Sequence, residues 1–587
     1  MDTDLEEAQP FKSLTDLYAN INQIRSWPGI VQLRECAEYV YRGSEVSVRK
    51  EVMEKVIREN QPKTLVCHDM KGGYLEDRFL YGSNDYKSYT FYHWNVIDIF
   101  VYFSHYFITI PPLGWINAAH RHGVKVLGTV ITEHTDGESI WTEILESVIS
   151  VRKFANALVE VAKVYKFEGW LLNIENHIPT NDIDKLIYFV KYLTDRIHEE
   201  IEGSEVIWYD SVTISGKLKW QNEVNENNKD YFLACDGIFL NYNWTESRLS
   251  SSYSFAQNNQ RSAFDIYVGL DVWGRDCPGG GGFNSAYALN LIRQYSLSVA
   301  IFAPGWTHEY FGSKTFTDME NIFWAQLFPF FYIHVPIYDN EEFETSFCNG
   351  AGRIYYHHGE IQREIQILEG NAVMVEKSFY NLSLQKPQIS VVLPQLMLIN
   401  TIKSNSDVTL ENSQKPEVIV FETGRLIFTV RGKEVSIQRK AVPQNINCFE
   451  FSNIFSYNGG RCLKLITHDT KLYHRLFLMH IEFQQEMEAI IIYKGFENND
   501  LIESYRTKPI LILKNETGLQ SIQAEKNLEI SNKWNKCIYT TNLRTINEIG
   551  IAFSTKGICY LGDIVLRPKQ RNFSGISYGG VDEAAGY

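Results

Sequence analysis

The stretch Gly169-Trp170-Leu171-Leu172-Asn173-Ile174-Glu175-Asn176 starts apolar and ends polar. It reads as a β-strand, and side chains alternate along a strand. Leu172 and Ile174 therefore share one face, and Asn173 and Glu175 share the other. An amide and a carboxyl stand side by side, one pleat apart. An unpaired buried polar group costs roughly 1–3 kcal/mol, so the pair either finds internal partners or has a use. A salt-bridged carboxylate beside a satisfied core amide is the plain alternative.

Outward from this strand, the same kind of unit recurs eight times. Short β-rich apolar runs occur at Thr64–Cys67, Val96–Phe103, Val124–Thr132, Trp170–Ile174, Val206–Tyr209, Gly237–Leu240, Asp265–Leu270 and Ser298–Phe302. Each is followed by polar or aromatic residues and a longer amphipathic segment. Near-continuous Val/Ile/Leu runs alternating with helical patterns indicate a parallel sheet. Eight of them predict an α/β TIM (β/α)8 barrel. A doubly wound open sheet would call for a glycine-rich phosphate turn after the first strand, where Cys67-His68-Asp69-Met70 stands instead. Pro278-Gly279-Gly280-Gly281-Gly282 lacks the Lys-Ser/Thr of a phosphate loop and reads as a flexible loop.

The remaining chain brackets the barrel. Residues 1–60, with Leu14, Leu17 and Ile21 on one helical face, read as an N-terminal extension, and 61–340 as the barrel. After about 340 helical periodicity fades and short β-like runs with turn signals take over. This predicts C-terminal β-sandwich domains at 341–445 and 446–570, with a flexible tail at 571–587.

With 587 residues the chain is too long for one core. A net charge of −15 argues against nucleic acid as a partner. Nine cysteines without a CxxC pair argue for reduced thiols rather than a disulfide frame or zinc site. No apolar run approaches 18 residues and Met1–Pro10 is acidic, so neither a membrane span nor a signal peptide is expected, and the cytosol is the default. Without secretion the four sequons at Asn243, Asn381, Asn515 and Asn572 stay unmodified.

A barrel carries its active site at the C-terminal ends of its strands. Those ends read His68-Asp69, Ser104-His105, Glu133-His134, Asn173/Glu175, Tyr209-Asp210, Asn241 to Trp244, Asp271-Val272-Trp273 and Trp306 to Glu309. They describe an aromatic-lined polar bowl. Metal-dependent hydrolysis would use His68, His105, His134 and His308, but neither HxH nor HExxH spacing supports it. Two-carboxylate glycoside hydrolysis would pair Glu175 with Asp210, Asp271 or Glu309. Substrate-assisted hydrolysis needs one acid/base carboxyl and one polar group that holds a 2-acetamido sugar, and Asn-x-Glu on one strand face provides both.

The sequence also resembles the glycoside hydrolase family 85 endo-β-N-acetylglucosaminidases. The resemblance runs through Leu65 to Leu75, Gly114 to Arg121, Gly123 to Thr129, Gly169 to Asn176, Val206 to Ser211, Trp220-Gln221-Asn222 and Phe239 to Trp244. It implies that Glu175 is the general acid/base, that Asn173 orients the acetamide and stabilises an oxazoline, and that Tyr209 positions the sugar. Trp220 and Trp244 then line the acceptor side, with Asn241, Trp273 and Trp306 at neighbouring strand ends. The implied reaction is cleavage of the GlcNAc-β1,4-GlcNAc chitobiose core of N-glycans with retention, with transglycosylation as a side reaction and no metal or organic cofactor. The implied partners are N-glycans on glycoproteins or glycopeptides and free oligosaccharides, with no nucleic acid and no membrane. A non-catalytic N-glycan lectin on the same barrel, or a glycoprotein-binding role for the sandwiches, are the competing readings.

Overall fold

The computed structural model describes residues 6–43, 53–368, 371–390, 398–403, 419–420, 425–430, 433–439, 447–496 and 508–569. The expected tail at 571–587 and much of 391–446 lie outside the described residues.

The eight expected runs form a closed parallel barrel. Its strands are β1 (Thr64–Asp69), β2 (Ile99–Phe103), β3 (Lys125–Glu133), β4 (Gly169–Glu175), β5 (Glu205–Tyr209), β6 (Gly237–Leu240), β7 (Ile266–Asp271) and β8 (Ser298–Phe302). Each pairs in parallel with the next, and β8 closes on β1 through Val299–Phe302 against Thr64–Cys67. Val96 falls outside β2, in a 3-10 turn at Trp94–Val96.

Alternation sorts the side chains. Leu65, Val101, Leu127, Leu171, Ile207, Phe239, Tyr267 and Ala300 fill the barrel interior. Their neighbours, such as Val66, Phe100, Val126, Leu172, Val206 and Val268, face the outer layer. Gly169 shows how tightly the strands pack. Its φ is +146°, and a Cβ there would meet the Glu205 carbonyl oxygen at 1.9 Å.

In the outer layer, α1 (Leu14–Asn20) tucks Leu14 and Leu17 into the barrel's packing. After β2 come α2 (Leu113–Arg121), α3 (His134–Ile144), α4 (Val148–Tyr165), α5 (Ile183–Glu200), α6 (Lys229–Ala234), α7 (Glu246–Asn258), α8 (Ser285–Gln294), α9 (Trp306–Phe311) and α10 (Phe316–Leu327). Ser147 caps α4 by accepting the Ser150 N–H, the usual partner of an unpaired first-turn donor. The first unit departs from the expected pattern, because only 3-10 turns lie between β1 and β2. There Tyr89, Phe91, Tyr92 and Trp94, all buried, cover the wall in place of an amphipathic helix. Residues 7–11 of the N-terminal segment lie beside the turns that follow β1 and β2, and residues 33–38 and 57–59 lie at the end where the strands begin. The segment's strands Tyr39–Arg42 and Lys55–Ile57 form a small antiparallel sheet with Tyr332–Ile333.

The C-terminal half is β-rich. Two antiparallel sheets built mainly from 447–569 face each other over Leu463, Leu465, Ile491, Leu511, Ile549, Ile551 and Ile564, all fully buried. Ile337–Asp339 joins one sheet by pairing in parallel with His474–Glu482, and Phe343–Thr345 joins the other against Gly557–Pro568. These pairings tie the chain just after the barrel to the last sandwich. Arg461 makes the joint. Buried at 3% exposure, it donates to the Phe347 carbonyl (2.8 Å) and Gln388 Oε1 (2.6 Å) and lies 3.6 Å over the Phe451 ring. No helix among the described residues is long and apolar enough to cross a membrane.

Candidate active site

Alternation along the strands decides what the barrel's C-terminal mouth contains. Asp69, Glu133, Asn173, Glu175, Tyr209, Asn241 and Asp271 share the parity of the interior residues of their strands. All therefore look into the mouth. His68 and Asp210 have the opposite parity and lie behind the wall.

Glu175 sits at the centre. Asn173 Nδ2 donates to its Oε2 at 3.2 Å, and Trp220 Nε1 donates to its Oε1 at 3.3 Å. The β3–β4 register sets Glu133 directly beside Glu175, and like charges opposite each other disfavour ionisation. The Glu175 carboxyl is raised above its ordinary value, chiefly by burial and further by Glu133, against the lowering by Asn173 and Trp220. A carboxyl held in this way retains a proton to give. Tyr209 donates its hydroxyl to Asn241 Oδ1 at 3.0 Å. Burial, with Glu175 nearby, drives its phenol well above the usual value, so it remains a donor.

Trp220 stands 41% exposed on the rim. Its loop is held from below by Asp210, 1% exposed. Asp210 Oδ2 accepts the backbone N–H groups of Gln221 (3.0 Å) and Asn222 (2.7 Å), and its Oδ1 accepts Asn228 Nδ2 (3.0 Å). Asn222, at φ +58°, passes the order on. Its Oδ1 accepts Asn241 Nδ2 and the Asn243 N–H, both at 2.9 Å. One network thus fixes Trp220 and Tyr209 relative to Glu175. The residues alone did not mark Asp210 and Asn222 for this work, although a Trp-Gln-Asn run after strand five is the signal that flags the loop.

The expected tryptophans divide. Trp273, half-buried, packs over the top of the interior cluster with its ring edge-on to Tyr310 at 6.4 Å. Trp244 is 2% exposed and its Nε1 donates to the Gly269 carbonyl at 2.8 Å, which draws the indole under the strand ends. Trp306, 3% exposed, stacks on Tyr310 at 5.4 Å amid Phe283 and Phe311. Trp244 and Trp306 therefore present no open ring face here, and their rings serve packing.

The alternative partners for Glu175 are otherwise engaged. Asp210 is caged as described. Asp271 is gripped by Arg275 at 2.8 Å and 3.3 Å. Glu309 lies outside the interior, on α9, where burial pushes its carboxyl up to about 7 against the charge of Lys71. The four strand-end imidazoles do not converge either. His68 is packed among Tyr89, Phe100, Tyr102 and Trp115, and His308 Nε2 lies 2.7 Å from the Lys87 carbonyl. His105 stands between Asp69 (4.0 Å) and Glu133 (3.9 Å).

Comparison with known proteins agrees with this geometry. Residues 74–355 match glycosyl hydrolase family 85. The chain is 48% identical over 326 residues to the cytosolic endo-beta-N-acetylglucosaminidase of Danio rerio, covering 56% of this chain and 44% of that one. It is 36% identical over 428 residues to cytosolic endo-beta-N-acetylglucosaminidase 2 of Arabidopsis thaliana, covering 72% of this chain and 55% of that one. The chain thus spans about half the length of these relatives. The crystal structure of the glycoside hydrolase domain of Endo-D from Streptococcus pneumoniae R6 superposes with a TM-score of 0.67 over 97% of this chain and 84% of that one, at 16% identity, a likeness of fold. Residues 74–355, which include seven of the eight strands of the (β/α)8 barrel, are therefore similar to glycosyl hydrolase family 85.

Proposed function

We propose that this chain is an endo-β-N-acetylglucosaminidase that cuts the GlcNAc-β1,4-GlcNAc core of N-glycans by substrate-assisted, retaining hydrolysis. The observation that carries the reading is the Asn173–Glu175 pair, open to the mouth and joined by Trp220. In the first step the 2-acetamido oxygen of the sugar attacks C1. The C1–O glycosidic bond breaks, and the Glu175 proton goes to the departing oxygen. Asn173 holds the acetamide in line and stabilises the positive charge that develops on it, leaving an oxazolinium ion that keeps the amide N–H. Water then attacks C1 as Glu175 takes its proton, and the C1–O bond to the acetamide opens. Two inversions give retention. A sugar hydroxyl replacing the water gives transglycosylation.

The Danio rerio and Arabidopsis relatives are named as cytosolic endo-beta-N-acetylglucosaminidases, which supports the same activity and compartment here. Glycoproteins, glycopeptides and free oligosaccharides are then the substrates. Neither a metal nor an organic cofactor enters these steps. We also assign catalysis to the barrel at 61–340 and a supporting role to the β-rich remainder.

The test is mass analysis of the products from a defined N-glycopeptide. A peptide that keeps a single GlcNAc is the expected result. Release of the whole glycan, or an unchanged glycopeptide with the intact protein, rejects the proposal.

A further inference from the structure

The reaction steps above leave one row of ionisable groups in the mouth unused. Asp69 ends β1, Glu133 ends β3 and Glu175 ends β4. β2 stands between β1 and β3, and His105 follows two residues after it. The imidazole bridges its neighbours. Its Nε2 lies 4.0 Å from Asp69 Oδ1, and its Nδ1 lies 3.9 Å from Glu133 Oε2. These are ion-pair rather than hydrogen-bond distances. A neutral imidazole offers one donor and one acceptor, whereas the imidazolium offers an N–H from each nitrogen. A ring with a carboxylate at both nitrogens is therefore matched in its charged form. The Phe103 ring supports it edge-on at 5.7 Å.

The bridge reaches Glu175 through Glu133. The β3–β4 register sets Glu133 beside Glu175, so Glu133 has His105 on its β2 side and Glu175 on its β4 side. Two adjacent carboxyls do not both ionise easily, and the better neutralised one gives up its proton first. A cation at His105 neutralises Glu133, so the proton stays with Glu175. The first step needs it there, to pass to the departing glycosidic oxygen. Glu175 is then a carboxylate beside a carboxylate, which favours its taking the proton of the attacking water. His105 keeps its own proton throughout. Other charges face the row. Arg275 and Asp271 of the β7 end act on Asp69, with Lys71 and Glu309 beyond it, and His134 at the start of α3 acts on Glu175. Arg275 is paired with Asp271 at 2.8 Å, and among the described residues His105 is the cation that faces Glu133.

We infer that His105 is a positioning residue, whose charge between Asp69 and Glu133 keeps the proton of the Glu133–Glu175 pair on Glu175. The inference rests on the reaction proposed above, so one arm of its test needs no turnover. His105→Gln, Glu133→Gln and the double variant are made in the full chain. The His105 and Glu133 side chains are 54% and 38% exposed, so neither change disturbs the core. In a glycopeptide assay at about pH 6, His105→Gln is expected to lower kcat about fivefold with KM within about twofold, the size of an exposed ion pair, because Glu133 then shares the proton. In the Glu133→Gln background the same change is expected to alter kcat by less than about 1.5-fold, since the partner it acts through is gone. A loss of equal size in both backgrounds, which a direct or purely structural role gives, overturns the inference, as does no loss in the parent.

Without substrate, the Trp220 indole N–H reports the same proton, since Glu175 Oε1 accepts it at 3.3 Å. The part of its NMR pH response that Glu175→Gln abolishes excludes Asp210 beneath the loop, whose carboxyl is pushed up by burial to about 6. That part is expected as one step in the parent, as two coupled steps in His105→Gln, and as one step again in the double variant. A single step in His105→Gln overturns the bridge. If the parent leaves the glycopeptide uncut, the activity proposal fails and the NMR arm alone decides the role of His105.

Discussion

The two ends of the barrel handle carboxylates in opposite ways. At the end where the strands begin, Asp98 contacts Arg58 and His334 and accepts the Thr64 N–H at 2.7 Å, and Glu205 contacts Lys125 at 2.6 Å and Lys63 at 3.4 Å. Burial works against both charges, yet the cations hold Asp98 and Glu205 below the ordinary carboxylate range. At the end where the strands finish, Asp69, Glu133, Glu175 and Asp271 crowd together with Arg275 and His105. Burial raises Asp69 and Glu175; Glu133 adds to this at both, with Asp271 at Asp69, against His105 and Arg275 at Asp69 and the Asn173 and Trp220 hydrogen bonds at Glu175. The difference teaches where the fold is fastened and where it is poised. Paired charges fix strand starts, and under-neutralised carboxylates leave a proton available for chemistry.

Four experiments break or sharpen this contrast. The largest effect is expected at the poised end. Glu175→Gln should lower hydrolysis of an N-glycopeptide by about 10²–10⁴-fold, the usual contribution of a general acid/base, while oligosaccharide affinity changes little. Turnover at the parent rate would remove Glu175 from the mechanism. Asn173→Ala should cost about 10²–10³-fold in hydrolysis but still permit transfer from a preformed sugar oxazoline. Loss with both donors would mean that Asn173 does something other than assist oxazoline formation. At the fastened end, Glu205→Ala leaves Lys63 and Lys125 without their carboxylate. Stability should fall by roughly 2–3 kcal/mol, below the figure for a fully buried pair because both lysines keep some water. Denaturant titration measures this, and kcat of the folded protein should hold. A fall in kcat instead would show that the two ends are coupled. The smallest effect is expected from Asp210→Asn, which puts a donor where the Trp220 loop needs an acceptor. A drop of about tenfold in kcat/KM, equivalent to about 1.4 kcal/mol, is expected in a glycopeptide assay with little change in melting temperature.

The same contrast fixes the sign of the pH response. Asp98 and Glu205 are depressed in the fold, so their contribution to stability is present above the unfolded values and is lost only as pH falls through the folded ones. Glu175 is raised, so its acid form, and with it kcat, declines as pH rises through its folded value. Buried Glu320, pushed up to about 8 by burial, contributes stability below its unfolded value that is lost as pH rises through about 8. Melting temperatures between pH 6 and 9 with Glu320→Gln should therefore show a flatter profile than the parent.

Much of this was legible beforehand. The eight runs predicted the barrel because near-continuous apolar runs alternating with helical stretches indicate a parallel sheet, and eight of them have few other solutions. Strand parity alone placed Asn173 beside Glu175. The helix-free first unit was not legible, since Tyr89 to Trp94 cover the wall through aromatic packing without helical periodicity. The engagement of Ile337–Asp339 and Phe343–Thr345 with strands more than a hundred residues away was likewise hidden, because antiparallel and parallel partners leave no local mark.

The sequence by itself determined the barrel, its open end, and the amide-carboxyl pair on strand four, because alternation and strand direction are local properties of the chain. Only the tertiary structure decided which neighbours meet that pair. The β3–β4 register set Glu133 beside Glu175, the Asp210 cage brought Trp220 over it, and the Gly269 carbonyl drew Trp244 into the packing. Such contacts join residues distant in sequence, and packing rather than local preference selects among them.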